Sequence, residues 1–262
     1  MTRSFRALTI SGSDSGGGAG LQADLKTFER FEVFGTSAVT LITAQNTQGV
    51  RDVHLLPPEA IATQIAAVLE DIGADAIKTG STGSAAIILG IAAMLDAHRE
   101  VPLVVDPVMV SKHGAPLLPE DAAEAMRDQL IPLASLITPN LHEASALLGR
   151  PVTTVDEMED AARELHATLG PGAVLITGGA LEGDEAVDVF CAEGQLMRFG
   201  APHLGGANTH GTGCTYSAAI TALLARGLPL TDAIQQARDY IQRAIATAPG
   251  VGSGVGPVNH RA

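Results

Sequence analysis

"RALTISGSDSGGGAGLQAD" (6–24) contains the unit from which the rest of the chain is built. Residues 6–11 form a short apolar run that reads as a buried strand. Four of the five residues from Gly16 to Gly20 are glycine. A helical pattern follows over 20–31, with the carboxylate of Asp24 on its inner side. A strand that turns through a flexible loop into a helix is half of a β-α-β unit. The same alternation continues along the chain. "TSAVTLITAQ" (36–45), "ADAIKTG" (74–80), "PLVVDPV" (102–108), "ASLITPN" (134–140) and "AVLITGG" (173–179) read as further strands. Several are apolar on both faces, as parallel strands covered by helices must be. Helical patterns fill 58–72, 84–98, 119–131, 141–148 and 156–169. Two alanine-rich stretches, 214–226 and 231–247, are separated by "GLPL". Repeated strand-then-helix order predicts a doubly wound α/β sheet. Residues 186–200 read as a hairpin turning at Glu193–Gly194, a small β addition. No repeat or linker divides the chain, so one domain over 1–262 is expected.

With 262 residues, 46 % of them hydrophobic, the chain can bury a substantial core and is not of disordered composition. No apolar window is long enough to cross a bilayer. The first residues run straight into a strand without an apolar signal core, so export is not expected. Cys191 and Cys214 form no CxxC or zinc spacing, which suits a reducing cytoplasm rather than a disulfide scaffold. The net charge of −13 argues against nucleic-acid and anionic-membrane partners. Only three lysines are present, Lys26, Lys78 and Lys112, so any phosphate must be held chiefly by backbone amides.

The strand-like runs end in Ser11, Gly80, Asp106, Asn140 and Gly178. Ligands of open α/β sheets bind beyond the carboxyl ends of the strands, so these residues should meet around one crevice. Neither G-x-G-x-x-G nor a P-loop is present. "GGANTHGTGCTYSAAITALLARG" (205–227) is a better phosphate device: Gly211, Thr212 and Gly213 precede a helix whose N-terminus favours an anion. A glycine-rich helix cap without a ligand is the alternative. Cys214, in the first turn, is expected to have a lowered thiol pKa and to stand ready to take a proton from an attacking hydroxyl; simple packing is its other reading. Asp106 and Glu143 are candidates to hold Mg²⁺ through water, while Asn140 and Glu143 also fit a capping box. His142 reads as a solvent-facing helix residue. His113 and His210 lie on loops, with no carboxylate partner visible in the sequence.

"LTISGSDSGGGAGLQADLKTF", "LITAQNTQGV", "VVDPVMVSKHG", "ITPNLHEASALLG" and "NTHGTGCTYSAA" follow one another in an order and spacing that resembles the hydroxymethylpyrimidine/phosphomethylpyrimidine kinases of thiamine biosynthesis. The resemblance runs through "GSGVGPVNH" (252–260) and covers essentially the whole chain. It implies a ribokinase-like three-layer αβα sandwich with a mostly parallel central sheet, usually a homodimer. It further implies an ATP- and Mg²⁺-dependent enzyme that phosphorylates 4-amino-5-hydroxymethyl-2-methylpyrimidine and then its monophosphate. By motif, Gly12, Asp24, Gln45, Val108 and Cys214 would surround the pyrimidine, with Ser81 beside it. The glycine loop would approach the flat ring and Asp24 would reach back to its polar edge. Gly211–Gly213 would form the anion hole. Asp106, Asn140 and Glu143 would serve the nucleotide and Mg²⁺, together with Thr177, Gly179 and Lys112.

Three positions depart from the family pattern. Ser81 stands where a methionine is common, Thr177–Ala180 where relatives often read K-G-G-H, and His113 where a small residue is usual. Ser81 leaves room for a larger ring, so a pyridoxal or pyridoxine kinase is the nearest alternative. A non-catalytic pyrimidine or nucleotide sensor is an alternative of another class.

Overall fold

A computed structural model describes residues 4–109, 118–206 and 208–262. The strands are β1 (Arg6–Asp14), β2 (Phe34–Asn46), β3 (Gly49–Leu55), β4 (Ala76–Thr79), β5 (Leu103–Val105), β6 (Leu136–Ile137), β7 (Val174–Ile176), β8 (Glu185–Ala192) and β9 (Gln195–Pro202). The helices are α1 (Gly20–Arg30), α2 (Pro58–Ala67), α3 (Ala85–Leu95), α4 (Glu120–Ala125), α5 (Leu141–Leu148), α6 (Val155–Leu169), α7 (Thr212–Ala225) and α8 (Leu230–Ala246). Wider or tighter turns prolong α2 through Ile72, α3 through His98 and α4 through Leu133, which accounts for the longer helical patterns in the sequence.

The nine strands form one sheet in the order β3-β2-β1-β4-β5-β6-β7-β8-β9. From β2 to β7 every pairing is parallel. Antiparallel strands close both sides: β3 on β2, and the β8–β9 hairpin on β7. The hairpin turns at Glu193 and Gly194, both at positive φ, where the sequence placed it.

Successive residues of each central strand face opposite layers. Val105, Ile137 and Ile176 pack with residues of α2–α6, whereas Val104, Leu136 and Leu175 pack with α7 and α8. Ala7 and Ala76 face α1 and α7, where alanines let these helices lie close to the sheet. The result is the expected ribokinase-like αβα sandwich.

Two features depart from the expected elements. β3 is absent from the sequence reading because its residues are exposed throughout, so no buried face shapes its pattern. β5, β6 and β7 are much shorter than the apolar runs containing them, since the chain leaves the sheet at Asp106, Thr138 and Thr177 to form the crevice.

Candidate active site

β1 runs on to Asp14, where the glycine-rich loop folds around the aspartate's own carboxylate. Oδ1 accepts from the Gly16 N–H at 2.7 Å, and Oδ2 accepts from Gly18 and Ala19 at 3.0 and 2.9 Å. His210 Nε2 lies 3.0 Å from the same Oδ2. Burial pushes the Asp14 carboxyl up, but His210 and the three amides outweigh it and hold the pKa below the ordinary value. These three amides are thus engaged inside the loop. The loop is seated on the segment before α7: a Cβ on Gly211, at φ +77°, would lie 1.8 Å from the Gly18 carbonyl oxygen. On the other side, a Cβ on Gly20 would lie 2.3 Å from the Gly12 carbonyl oxygen. Only glycine permits either approach.

His210 therefore has the carboxylate partner that the sequence did not reveal. It also touches Gln45, whose Nε2 is 3.2 Å away. Gln45 comes from the end of β2 and is anchored by its backbone to Ser15, whose hydroxyl donates to the Gln45 carbonyl at 2.7 Å. Gly12 and Ser81 are neighbours, since a Cβ on Gly12 would sit 3.6 Å from that of Ser81. Gln45, Gly12 and Ser81 thus collect at the carboxyl ends of β1, β2 and β4.

Asp24 does not reach back toward this edge. Lys78 Nζ lies 3.0 Å from both of its oxygens, and Thr9 Oγ1 donates to Oδ2 at 2.6 Å. Both side chains of the ion pair are 0 % exposed. The expected contact to the ring is replaced by an internal one, because a fully buried ammonium on β4 needs a carboxylate beside it. Burial pulls the Lys78 pKa down, but the charges of Asp24 and Asp106 more than offset this and keep the ammonium protonated. Lys78 is the site residue that sequence reasoning missed. Its signal was a lysine inside a strand apolar on both faces.

α7 begins at Thr212, so Thr212 and Gly213 lie in its first turn and Gly211 is its N-cap. Gly213 is exposed and Cys214 half-buried at the crevice. The thiol expectation is overturned. Burial pushes Cys214 up to about 12; Lys78 pulls it down, but Asp106 and Asp24 raise it further. Burial beside two carboxylates favours the protonated thiol, the opposite of the direction expected from the helix end.

One turn further, Ser217 Oγ donates to Asp106 Oδ2 at 3.0 Å, tying α7 to the end of β5. Val108 follows and donates its N–H to the Asp106 carbonyl at 2.9 Å. Asn140 and Glu143 do form a capping box: Asn140 Oδ1 accepts from the N–H groups of His142 and Glu143, and Glu143 Oε2 accepts from the Asn140 N–H. Burial and the charge of Asp106 push the Glu143 carboxyl well above its ordinary value. Asn140 bridges to Thr177, and Asp188 Oδ1 accepts from the Gly178 N–H at 2.9 Å. Asp188 is paired in turn with buried Arg238 at 3.0 Å, which fixes the Thr177–Gly179 turn from behind. Lys112 and His113 lie outside the described residues. A cavity of about 1060 Å³ lies between α5, the 149–155 loop and residues 180–185; it borders the Thr177–Gly179 turn and does not contain Cys214.

The crevice thus joins a helix N-terminus, a fixed ammonium beneath it, and buried carboxylates at adjoining strand ends. In this sandwich, such an arrangement defines a ribokinase-like phosphotransferase. The phosphomethylpyrimidine kinase family model matches residues 14–259. The hydroxymethylpyrimidine/phosphomethylpyrimidine kinase of Bacillus subtilis is 42 % identical over 257 residues, covering 98 % of this chain and 94 % of that protein. The thiamine biosynthesis bifunctional protein of Geobacter sulfurreducens is 47 % identical over 253 residues, covering 97 % of this chain; the chain spans only 51 % of that protein's length. Among solved structures, the ADP complex of Bacillus subtilis pyridoxal kinase superposes with a TM-score of 0.91 at 40 % identity, covering 98 % of each chain. The chain belongs to the phosphomethylpyrimidine kinase family.

Proposed function

We propose that the chain uses MgATP to phosphorylate 4-amino-5-hydroxymethyl-2-methylpyrimidine, and then phosphorylates the monophosphate to the diphosphate. The observation that carries this reading is the convergence of Gln45, Gly12 and Ser81 on the same crevice as the α7 N-terminus, backed by Lys78. Gln45 supplies a donor and an acceptor to the polar edge of the ring. Gly12, Ser81 and the backbone of Val108 surround its faces. Gly213 directs its amide at the transferring phosphoryl group from the first turn of α7, the Thr212 N–H being turned to the Thr209 carbonyl, and Lys78 stabilises the group from below at no cost in reorganisation. Cys214 borders the hydroxymethyl group as a neutral thiol. Phosphoryl transfer is mainly positioning and charge stabilisation, so the first step does not depend on a strong base.

Asn140, Thr177 and Gly179 form the wall that faces the nucleotide. Asp106 and Glu143 suit Mg²⁺, a hard cation that keeps several waters and uses few carboxylates. Both are buried oxygen donors whose mutual repulsion a cation would relieve. Glu143 has an oxygen committed to the capping box, so it acts through water. Among the described residues no cluster of three or more His, Cys, Asp or Glu could form an all-protein metal cage. Bound Mg²⁺ supplies charge neutralisation at the nucleotide phosphates.

A homodimer is supported by β3, an edge strand on which Val50, Val53 and Leu55 are 55, 48 and 48 % exposed. An apolar unpaired edge favours covering by a second chain. No helix among the described residues is long and apolar enough to cross a membrane. Together with the two free cysteines, this supports a cytoplasmic location. Residues 1–262 are read as one kinase domain.

Pyridoxal phosphorylation is a second reading, favoured by the small Ser81 side chain and the similarity to a pyridoxal kinase structure. The test is kcat/KM for the pyrimidine and for pyridoxal under identical MgATP. A ratio above one supports the pyrimidine assignment; turnover of pyridoxal alone overturns it.

A further inference from the structure

His210, Asp14 and Gln45 meet at one point, although 196 residues separate the first two and 165 the first and third. The proton inventory at this point is over-determined. Asp14 Oδ2 already accepts two backbone N–H groups, and its carboxyl is held ionised. A lone pair on His210 Nε2 facing that oxygen at 3.0 Å would be repulsive, so Nε2 must carry a proton and donate it to Asp14.

This decides the state of Gln45. Protonated Nε2 has no lone pair to accept an amide N–H, so the end of Gln45 that lies 3.2 Å away must be the carbonyl oxygen, which shares the one N–H as the longer branch of a three-centre bond. The other end lies 3.3 Å from Thr43 Oγ1. The single hydroxyl proton of Thr43 is committed at the shorter distance of 3.0 Å to the Ser13 carbonyl. Thr43 therefore offers Gln45 a lone pair, which requires an amide N–H. Both ends independently demand the same orientation, with oxygen toward His210 and nitrogen toward Thr43. A half-turn of the amide reaches it with the same partners at essentially the same distances.

We propose that His210, held by Asp14, is a positioning residue that fixes the order of acceptor and donor on Gln45 and so sets the enzyme's preference for a ring nitrogen flanked by an exocyclic amine. With one lone pair given to His210 and one N–H to Thr43, the amide retains one acceptor and one donor for the ring. Their order cannot reverse without leaving two half-buried hydrogen-bonding ends mismatched. An analogue with an oxo group replacing the amine meets the amide oxygen with an acceptor and is rejected. His210 does not touch the substrate in this arrangement; it acts through Gln45. The inference rests on the proposed reading that Gln45 contacts the ring.

The experiment compares kcat/KM for the 4-amino substrate and its 4-oxo analogue in the wild type, His210→Ala, His210→Asn and Gln45→Ala. The wild type should favour the amino compound strongly. His210→Ala should reduce that preference at least tenfold while leaving KM for ATP within twofold, and His210→Asn, which retains an N–H donor, should recover much of it. In Gln45→Ala the preference should collapse, and adding His210→Ala should change it no further. If Gln45→Ala alters neither KM for the pyrimidine nor the preference, Gln45 does not contact the ring and the proposed reading of the site fails. If Gln45→Ala abolishes the preference but His210→Ala leaves it intact, the positioning role is refuted while the site reading stands. Should His210→Ala not fold, an unchanged preference in His210→Phe, or an Asn variant no better than Phe, would refute the role equally.

Discussion

Replacing Lys78 by methionine removes the ammonium and keeps most of the side-chain volume, which isolates the charge. In the native protein both Lys78 and Asp24 are fully buried, and Nζ sits 3.0 Å from each Asp24 oxygen. After the substitution Asp24 retains one side-chain donor, the hydroxyl of Thr9 at 2.6 Å. An uncompensated buried charge of this kind typically costs about 3–5 kcal/mol. For a chain of this size, at about 2 °C per kcal/mol, that corresponds to a fall in Tm of roughly 6–10 °C. Asp24→Asn should cost a similar amount, because it strands the ammonium. The double variant Asp24→Asn/Lys78→Met removes both charges and should lie at least about 2 kcal/mol closer to wild type than the sum of the single losses. Urea unfolding of all four proteins at pH 7 reads the cycle directly. A Lys78→Met protein within about 1 kcal/mol of wild type, together with additive single effects, would show that the pair is not the coupled buried unit described here.

Other expected outcomes follow from the same surroundings. Burial holds the His260 ring neutral down to about pH 4, whereas its ordinary value is 6.5. The unfolded chain therefore takes up this proton first, and the stabilisation is complete above pH 6.5 and is lost as the pH falls toward 4. It amounts to at most about 3 kcal/mol, so His260→Gln should flatten the urea midpoint across that window; an unchanged slope would contradict the assignment. Cys214→Ala should slow the two phosphorylations by factors within tenfold of each other in single-turnover assays, because the resting thiol is protonated. A loss of about a hundredfold or more confined to the first step would restore a general-base role. Gly211→Ala places a methyl group 1.8 Å from the Gly18 carbonyl oxygen at positive φ. It should cost at least about 2 kcal/mol and sharply reduce turnover; near-native stability by thermal unfolding would mean that the two loops do not interlock.

The parts of the fold legible in the sequence are those where burial leaves a pattern. Val104 and Val105, facing opposite layers, make a strand apolar on both sides, and Asn140 with Glu143 spells a capping box that the structure contains. β3 escaped because Val50, Val53 and Leu55 are each half-exposed and its other residues are exposed too, so no buried face imprints a period on its sequence. At the site, local motifs located the α7 N-terminus to within a residue or two. Long-range pairing was not legible: nothing near His210 indicates Asp14, and nothing near Asp24 indicates that its partner is Lys78 rather than a ligand. The Cys214 thiol was misread for the same reason. The helix end from which a lowered pKa was expected is local, whereas the burial that raises it most, and the charges of Asp106 and Asp24 that add to it, come from the tertiary fold.

The most direct measurement of the central claim is a ³¹P NMR time course of the purified protein with the hydroxymethylpyrimidine and excess MgATP. The account predicts a phosphomonoester signal that rises first and then gives way to the paired signals of a diphosphate, with ADP formed in step with each transfer. ADP release without either phosphorylated pyrimidine would contradict it.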